Sequence, residues 1–336
     1  MNFEQIDNGV YQVWKKTCKL KYINPTNQKI EKKRFLASSK YNPKFEYRKL
    51  DFNSINMKKK LLSYKKELKN YKDNNIAILL SKKIDKLLIW LSMLESRGTK
   101  NFTKYSLQYY GKPKRDLVAK AKNLVKIKEK KLSATVSSRD VVLYVKKKIK
   151  SMKIDWKVKE KANIGARADC VTSEKTIYIK KGELFPKNEL KKLVVHELGV
   201  HATRALNAKK QKYKIFLMGT ANYEPTEEGL ATIMEEKNNV LTKRTLKSYA
   251  GRVIAIGLSL RKSFREVYNY LLKYFPYNQA YQLTMRAKRG LTNTAKPGAF
   301  TKDYIYLYGR EKLKKVKNIK PLFVGRIGID DLPYLK

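Results

Sequence analysis

Two histidines occur in the 336 residues, and both fall in one hexapeptide, HELGVH, as His196 and His201, with Glu197 directly after the first. Imidazole pairs beside a carboxylate combine the donors that divalent metals take with the base that hydrolysis needs. In the familiar HExxH motif the imidazoles stand four apart, about 40° around a 3.6-residue helix, whereas five apart is about 140°. Both rings reach one ion only if the turn is widened, and a π-bulge with its i to i+5 bonding does this. Gly199, inside the turn, lowers the steric cost of irregular backbone. A catalytic zinc uses three protein ligands and keeps a position open. With no histidine left, and Cys170 upstream on an expected strand, a carboxylate must complete the set. The segment ANYEPTEEGLATIMEE predicts a helix starting at Pro225 and Thr226, with Glu227 and Glu228 in its first turn and Glu235 and Glu236 two turns on. Glu227 or Glu228 is the expected third ligand, and the later pair is placed to orient ligands. The competing reading makes the first pair ordinary acids that complement a helix N-terminus.

The elements that must position these groups are mostly helical. Asn188 is the expected cap of a helix that runs through Leu190, Leu193 and Val194 into HELGVH. Leu61, Tyr64, Leu68 and Tyr71 share one helical face, and Leu80, Ile84, Leu87, Leu91 and Leu94 make a stronger stripe. A more basic helix is expected over 117–132, and a long amphipathic one over 252–275, stopped by Pro276. Short β-prone pieces at 154–158 and 176–179 predict a small mixed sheet, with 165–170 and 175–180 as a hairpin just before the metal helix. The expected fold class is α+β, mostly helical, with a helical N-terminal portion over 1–140 and a catalytic portion over 141–336.

HELGVHATRALN followed by PTEEGLA resembles the family of microtubule-associated tyrosine carboxypeptidases and the bacterial proteins named for a QEGLA motif. KRGLTNTAKPGAFTKDYIYLYG is similar to the family's RG, FTKD and YLxG elements, and YINPTN and NPKFEY also fit it, so the likeness spans most of the chain. The resemblance implies a zincin-like metallopeptidase with one zinc held by His196, His201 and Glu228, and Glu197 as catalytic base; Glu227 stands where the bacterial motif has glutamine. Tyr306 and Arg204 are the expected oxyanion donors, and Arg289 and Lys302 the expected cations for a substrate's terminal carboxylate. The implied activity is removal of a C-terminal tyrosine or other aromatic, with the acidic tail of α-tubulin as the eukaryotic precedent. By analogy with zinc peptidases, a sheet edge beside the metal helix would pair with the substrate backbone.

Lys and Arg number 77 against 29 Asp and Glu, a formal net charge of +48. Such a field attracts nucleic acid, anionic membrane or acidic peptide. The lysines are spread along the chain without a basic tail, and their abundance together with Asn, Ile and Tyr is what AT-rich codons supply. An acidic peptide tail is therefore the expected partner, with nucleic acid less favoured. Two cysteines exclude a disulfide framework, no apolar run approaches the ~20 residues of a membrane span, and MNFEQIDNGVYQVWKK lacks the order of a signal peptide. A cytoplasmic, soluble enzyme is expected. The alternatives are a basic nucleic-acid-binding protein on a peptidase fold and a zinc endopeptidase acting inside chains.

Overall fold

The stripe from Leu80 to Leu94 is the buried face of the 21-residue helix Asn75–Glu95 in a computed structural model, which describes residues 1–128, 133–162, 164 and 167–335. Asn74 caps it by accepting from the amides of Ile76 and Ala77. Leu61 and Leu68 are buried along the helix Ser54–Glu67 and the 3₁₀ turn Leu68–Tyr71 that continues it. Two expected helices differ from the sequence reading. The basic one spans Arg115–Leu124, and Leu132 lies outside the described residues. The one expected over 252–275 is two helices, Lys243–Ser259 and Phe264–Leu272. Ser263 and Glu266 form a reciprocal capping box at the break, so local hydrogen bonding overrides a continuous apolar stripe.

Two compact units divide the chain: 1–127 with 244–308 and residue 335, and 128–243 with 309–334. Residues 244–308 thus pack with the N-terminal helices, a division different from 1–140 and 141–336. Aromatic packing accounts for it, since the Phe35 ring lies 4.9 Å from Phe264 and 4.9 Å from Tyr268 between centroids. In this first unit Arg286 and Arg289 both pair with the buried Asp303.

In the second unit, β1 (Ala134–Ser137) pairs antiparallel with β5 (Leu184–Pro186). A separate sheet has the order β2-β4-β3, with β4 (Thr176–Lys180) parallel to β2 (Lys157–Lys161) and antiparallel to β3 (Ala168–Val171). Ile177 and Ile179 bury one face of β4 in a cluster with Val141, Val145 and Ile149 of the helix Ser138–Ser151. The expected mixed sheet and hairpin are present, although β2 begins at Lys157 and Gly165 lies outside the described residues. Mostly helical with small sheets, the chain is α+β.

After β5, helical backbone runs unbroken from Lys187 to Lys209, with extended Pro186 rather than Asn188 at the cap position. The segment Val194–Ala202 within it is a π-helix, and the helix Tyr223–Lys237 packs against it. That second helix is closely met by Gly309. A Cβ on Gly309 would stand 1.9 Å from the Pro225 carbonyl oxygen, and one on Gly229 would stand 2.5 Å from the Gly309 carbonyl. Both neighbours are backbone and cannot rotate aside. Gly309→Ala is therefore expected to cost about 1–3 kcal/mol and lower the Tm by calorimetry, whereas Gly257→Ala, whose Cβ meets nothing nearer than 4.0 Å, should not.

Candidate metal centre

The widened turn brings the two imidazoles together, their ring centroids 4.8 Å apart at 75°. The i to i+5 pattern persists at its end, where the Thr203 hydroxyl donates to the Leu198 carbonyl at 2.8 Å. A Cβ added at Gly199 would make only an ordinary 3.8 Å contact with the Val194 oxygen, so nothing beyond its own turn crowds this position.

The facing helix begins at Tyr223, earlier than the sequence reading, so Glu224 is its first-turn acid. Glu227 and Glu228 therefore lie beyond the turn where dipole complementation acts. Glu227 accepts from or shares a proton with His201 Nδ1 at 2.8 Å, and Glu235 does the same with His196 Nδ1 at 2.7 Å. Each outer nitrogen being engaged, each Nε2 is left for a ligand. The donor atoms of His196, His201 and Glu228 lie within 4.8 Å of one another. Glu228 Oε2 is buried, has no hydrogen-bond partner and stands 3.8 Å from His196 Nε2, too long for a hydrogen bond. Two oriented imidazoles and an orphaned carboxylate oxygen converging at this spacing fit a divalent cation. Glu236 instead pairs with Arg310 at 3.0 Å.

Arg204 is 0% exposed, and its guanidinium donates to Glu227 and to the carbonyls of Leu322, Gly325 and Ile327. Its donors are committed inward, so the expected oxyanion role is corrected: Arg204 positions Glu227, which positions His201. Sequence reasoning assigned Glu227 no such clamp; the available signal was Arg204 three residues after His201, on a neighbouring helical position. Burial opposes ionisation of Glu227, yet Arg204 and His201 hold its pKa down to about 2; burial likewise opposes charge on His201, but Glu227 raises it to about 9. Burial pushes the Glu197 carboxyl above its usual range. Cys170, on β3, has its thiol 4.0 Å from the Glu197 carbonyl, and burial pushes that thiol up as well.

Arg289, Lys302 and Tyr306 belong to the first unit, whereas the metal donors belong to the second. Arg289 is 4% exposed and donates to Asn24 at 2.8 Å and toward Asp303 at 3.5 Å. It clamps these residues together rather than presenting a free cation, which corrects its expected role. Lys302 lies over the Tyr110 ring at 5.2 Å, and Tyr306 stacks on Tyr249 with centroids 5.2 Å apart.

Two imidazoles of one helix and a carboxylate of the facing helix thus converge as a candidate centre for a divalent cation. A family model described as microtubule-associated tyrosine carboxypeptidase matches residues 33–336, and the chain belongs to that family. It is 30% identical over 159 residues to the human Microtubule-associated tyrosine carboxypeptidase 1, covering 44% of this chain and 33% of that protein. It is 29% identical over 160 residues to a putative tyrosine carboxypeptidase of Mus musculus, covering 44% of this chain and 30% of that protein. The chain thus spans about a third of the length of these curated relatives.

Two outcomes follow from the buried charges. Glu227→Ala leaves the Arg204 guanidinium buried without its anion and is expected to cost about 3–5 kcal/mol, read by denaturant unfolding in the presence of a chelator. Asp303, despite burial that would raise its pKa, is held below the usual carboxylate range by Arg286, Arg289 and Arg252. Its contribution is therefore present above the unfolded pKa of about 4 and lost as pH falls toward the native value. Asp303→Asn should lower the Tm at pH 7 and flatten the fall in Tm below pH 4.

Proposed function

We propose that this protein is a zinc-dependent metallocarboxypeptidase with a zincin-like centre that removes a C-terminal tyrosine or other aromatic residue from an acidic peptide tail. The observation that carries the reading is the His196, His201 and Glu228 donor set with its orphaned Glu228 oxygen, in a chain of a tyrosine carboxypeptidase family. Tubulin is the substrate to test first, because the relatives are named for microtubules, and the same names support a reading of this enzyme as one that works at the cytoplasmic cytoskeleton. A +48 chain attracts such a tail, so turnover should fall with salt.

His196, His201 and Glu228 would hold the zinc, while Glu235 and Glu227 fix the two imidazoles in the tautomers that present Nε2. When bound, the ion supplies Lewis acidity and makes water acidic enough to be deprotonated near neutral pH. Glu197 follows a ligand in sequence without belonging to the donor set, which suits it to take a proton from the attacking water and return it to the leaving amine. Its half-buried setting limits exchange with bulk water. β3, the last strand of its sheet among the described residues and beside the metal helix, is the element on which a substrate backbone would pair.

Metal analysis combined with mass spectrometry of peptides ending in Glu-Glu-Tyr, Glu-Glu-Phe and Glu-Glu-Ala tests this. One zinc per chain is expected, lost in His196→Ala and Glu228→Ala. Tyrosine or phenylalanine should be shed by the wild type, and Glu197→Ala should keep zinc but lose about 10²–10⁴ in rate. Amidated peptides should remain intact; their cleavage would indicate an endopeptidase. Zinc bound with no residue shed from any peptide defeats the proposal.

A further inference from the structure

A second feature lies wholly in the first unit, where residues around 112–122 and 254–270 line a surface cavity of about 820 Å³. The helix Arg115–Leu124 presents Arg115, Val118, Ala119 and Lys122 to it. The helix Lys243–Ser259 presents Ile254, Gly257 and Leu258, followed by Arg261 in the next turn. The first set follows i, i+3, i+4, i+7 and Ile254, Gly257 and Leu258 follow i, i+3, i+4, so each is a single helical face, with Arg261 in the turn beyond the second helix. The middle of the groove is apolar and low, because Ala119 and Gly257 leave little side chain over the backbone. Room above Gly257 is real, since a Cβ there would meet only Val118 Cγ2 at 4.0 Å.

The ends are cationic. Arg115 and Lys122 are exposed and stand two turns apart, about 10 Å along their helix, and Arg261 is exposed at the end of the other wall. No aspartate or glutamate is among the described residues that line the groove. None of this belongs to the metal centre, and the proposed reaction uses none of it.

We propose that this groove docks an amphipathic, acidic helix of a partner protein. Helix-in-groove recognition sets apolar anchors at i, i+3 and i+4 onto a floor of small residues. Carboxylates one heptad apart on such a helix bracket those anchors and fall at the spacing of Arg115 and Lys122. Positive charge at both ends of an apolar floor suits a helix with acids at both ends. An anionic lipid carries its charge at one end, and a nucleic acid would leave the floor unmatched.

The probe is a fluorescein-labelled helical peptide of about five turns, carrying leucines on one face between glutamates spaced one heptad apart. A permuted peptide of the same composition, without the apolar face, reports the general attraction of a +48 chain for acids. With the full-length protein, the designed peptide should bind more tightly than the permuted one by anisotropy. Gly257→Leu should weaken it about tenfold by filling the floor, while the Tm holds or rises because leucine is the better helix former. Lys122→Glu should weaken it by a similar factor, and release of tyrosine from a short tail peptide should be unchanged in both variants. Equal binding of the two peptides, no effect of Gly257→Leu, or a Gly257-dependent binding of phosphatidylserine vesicles in place of the peptide each overturns the proposal.

Discussion

Two imidazoles five residues apart can face one point only if the backbone between them gives up regular α-helical winding. In this protein the constraint is met by the π-helical segment Val194–Ala202, set inside helical backbone that continues on both sides. Widening a turn lengthens or reroutes hydrogen bonds, and isolated helices rarely adopt it. Packing holds it here. Leu198, Val200 and Ala202 are fully buried, the Thr203 hydroxyl takes up the Leu198 carbonyl, and the Tyr223–Lys237 helix covers the other side.

That covering helix does more than pack. Glu227, Glu228 and Glu235 all project from it toward the π-helix, two to orient the imidazoles and one with a free oxygen between them. Its approach to the residue Gly309 leaves no space for a methyl on either glycine of the Gly229 and Gly309 contact. The glycine of EGLA and that of YLYG are thus two sides of one close approach. Arg204 then completes a chain from three backbone carbonyls through Glu227 to His201, which fixes the imidazole to the fold rather than to a mobile side chain.

Charge is distributed against the average of the chain. Although cations outnumber anions by 48, Glu197, Glu227, Glu228 and Glu235 are gathered around two histidines. Buried like charges at this density repel one another unless paired with cations. Arg204 and the imidazoles supply part of that compensation, and the orphaned Glu228 oxygen marks where more positive charge is called for.

Sequence alone determined the local and the periodic: the His196, Glu197 and His201 cluster, the need for a widened turn, the buried stripe of Asn75–Glu95 and the mixed sheet. These depend on spacing within one element, which the chain carries directly. Element ends were less legible, since the Ser263 capping box and the extended Pro186 act through single hydrogen bonds and dihedral angles that periodicity does not register. Only the tertiary structure decided what depends on separate elements meeting. Arg204 and Arg289 look like available cations in a sequence of 77, and become clamps because carboxylates and carbonyls from distant segments close around them. Whether a charged side chain is a ligand, a clamp or a solvated surface group depends on what shields it from water, and that shielding is a property of the packed fold.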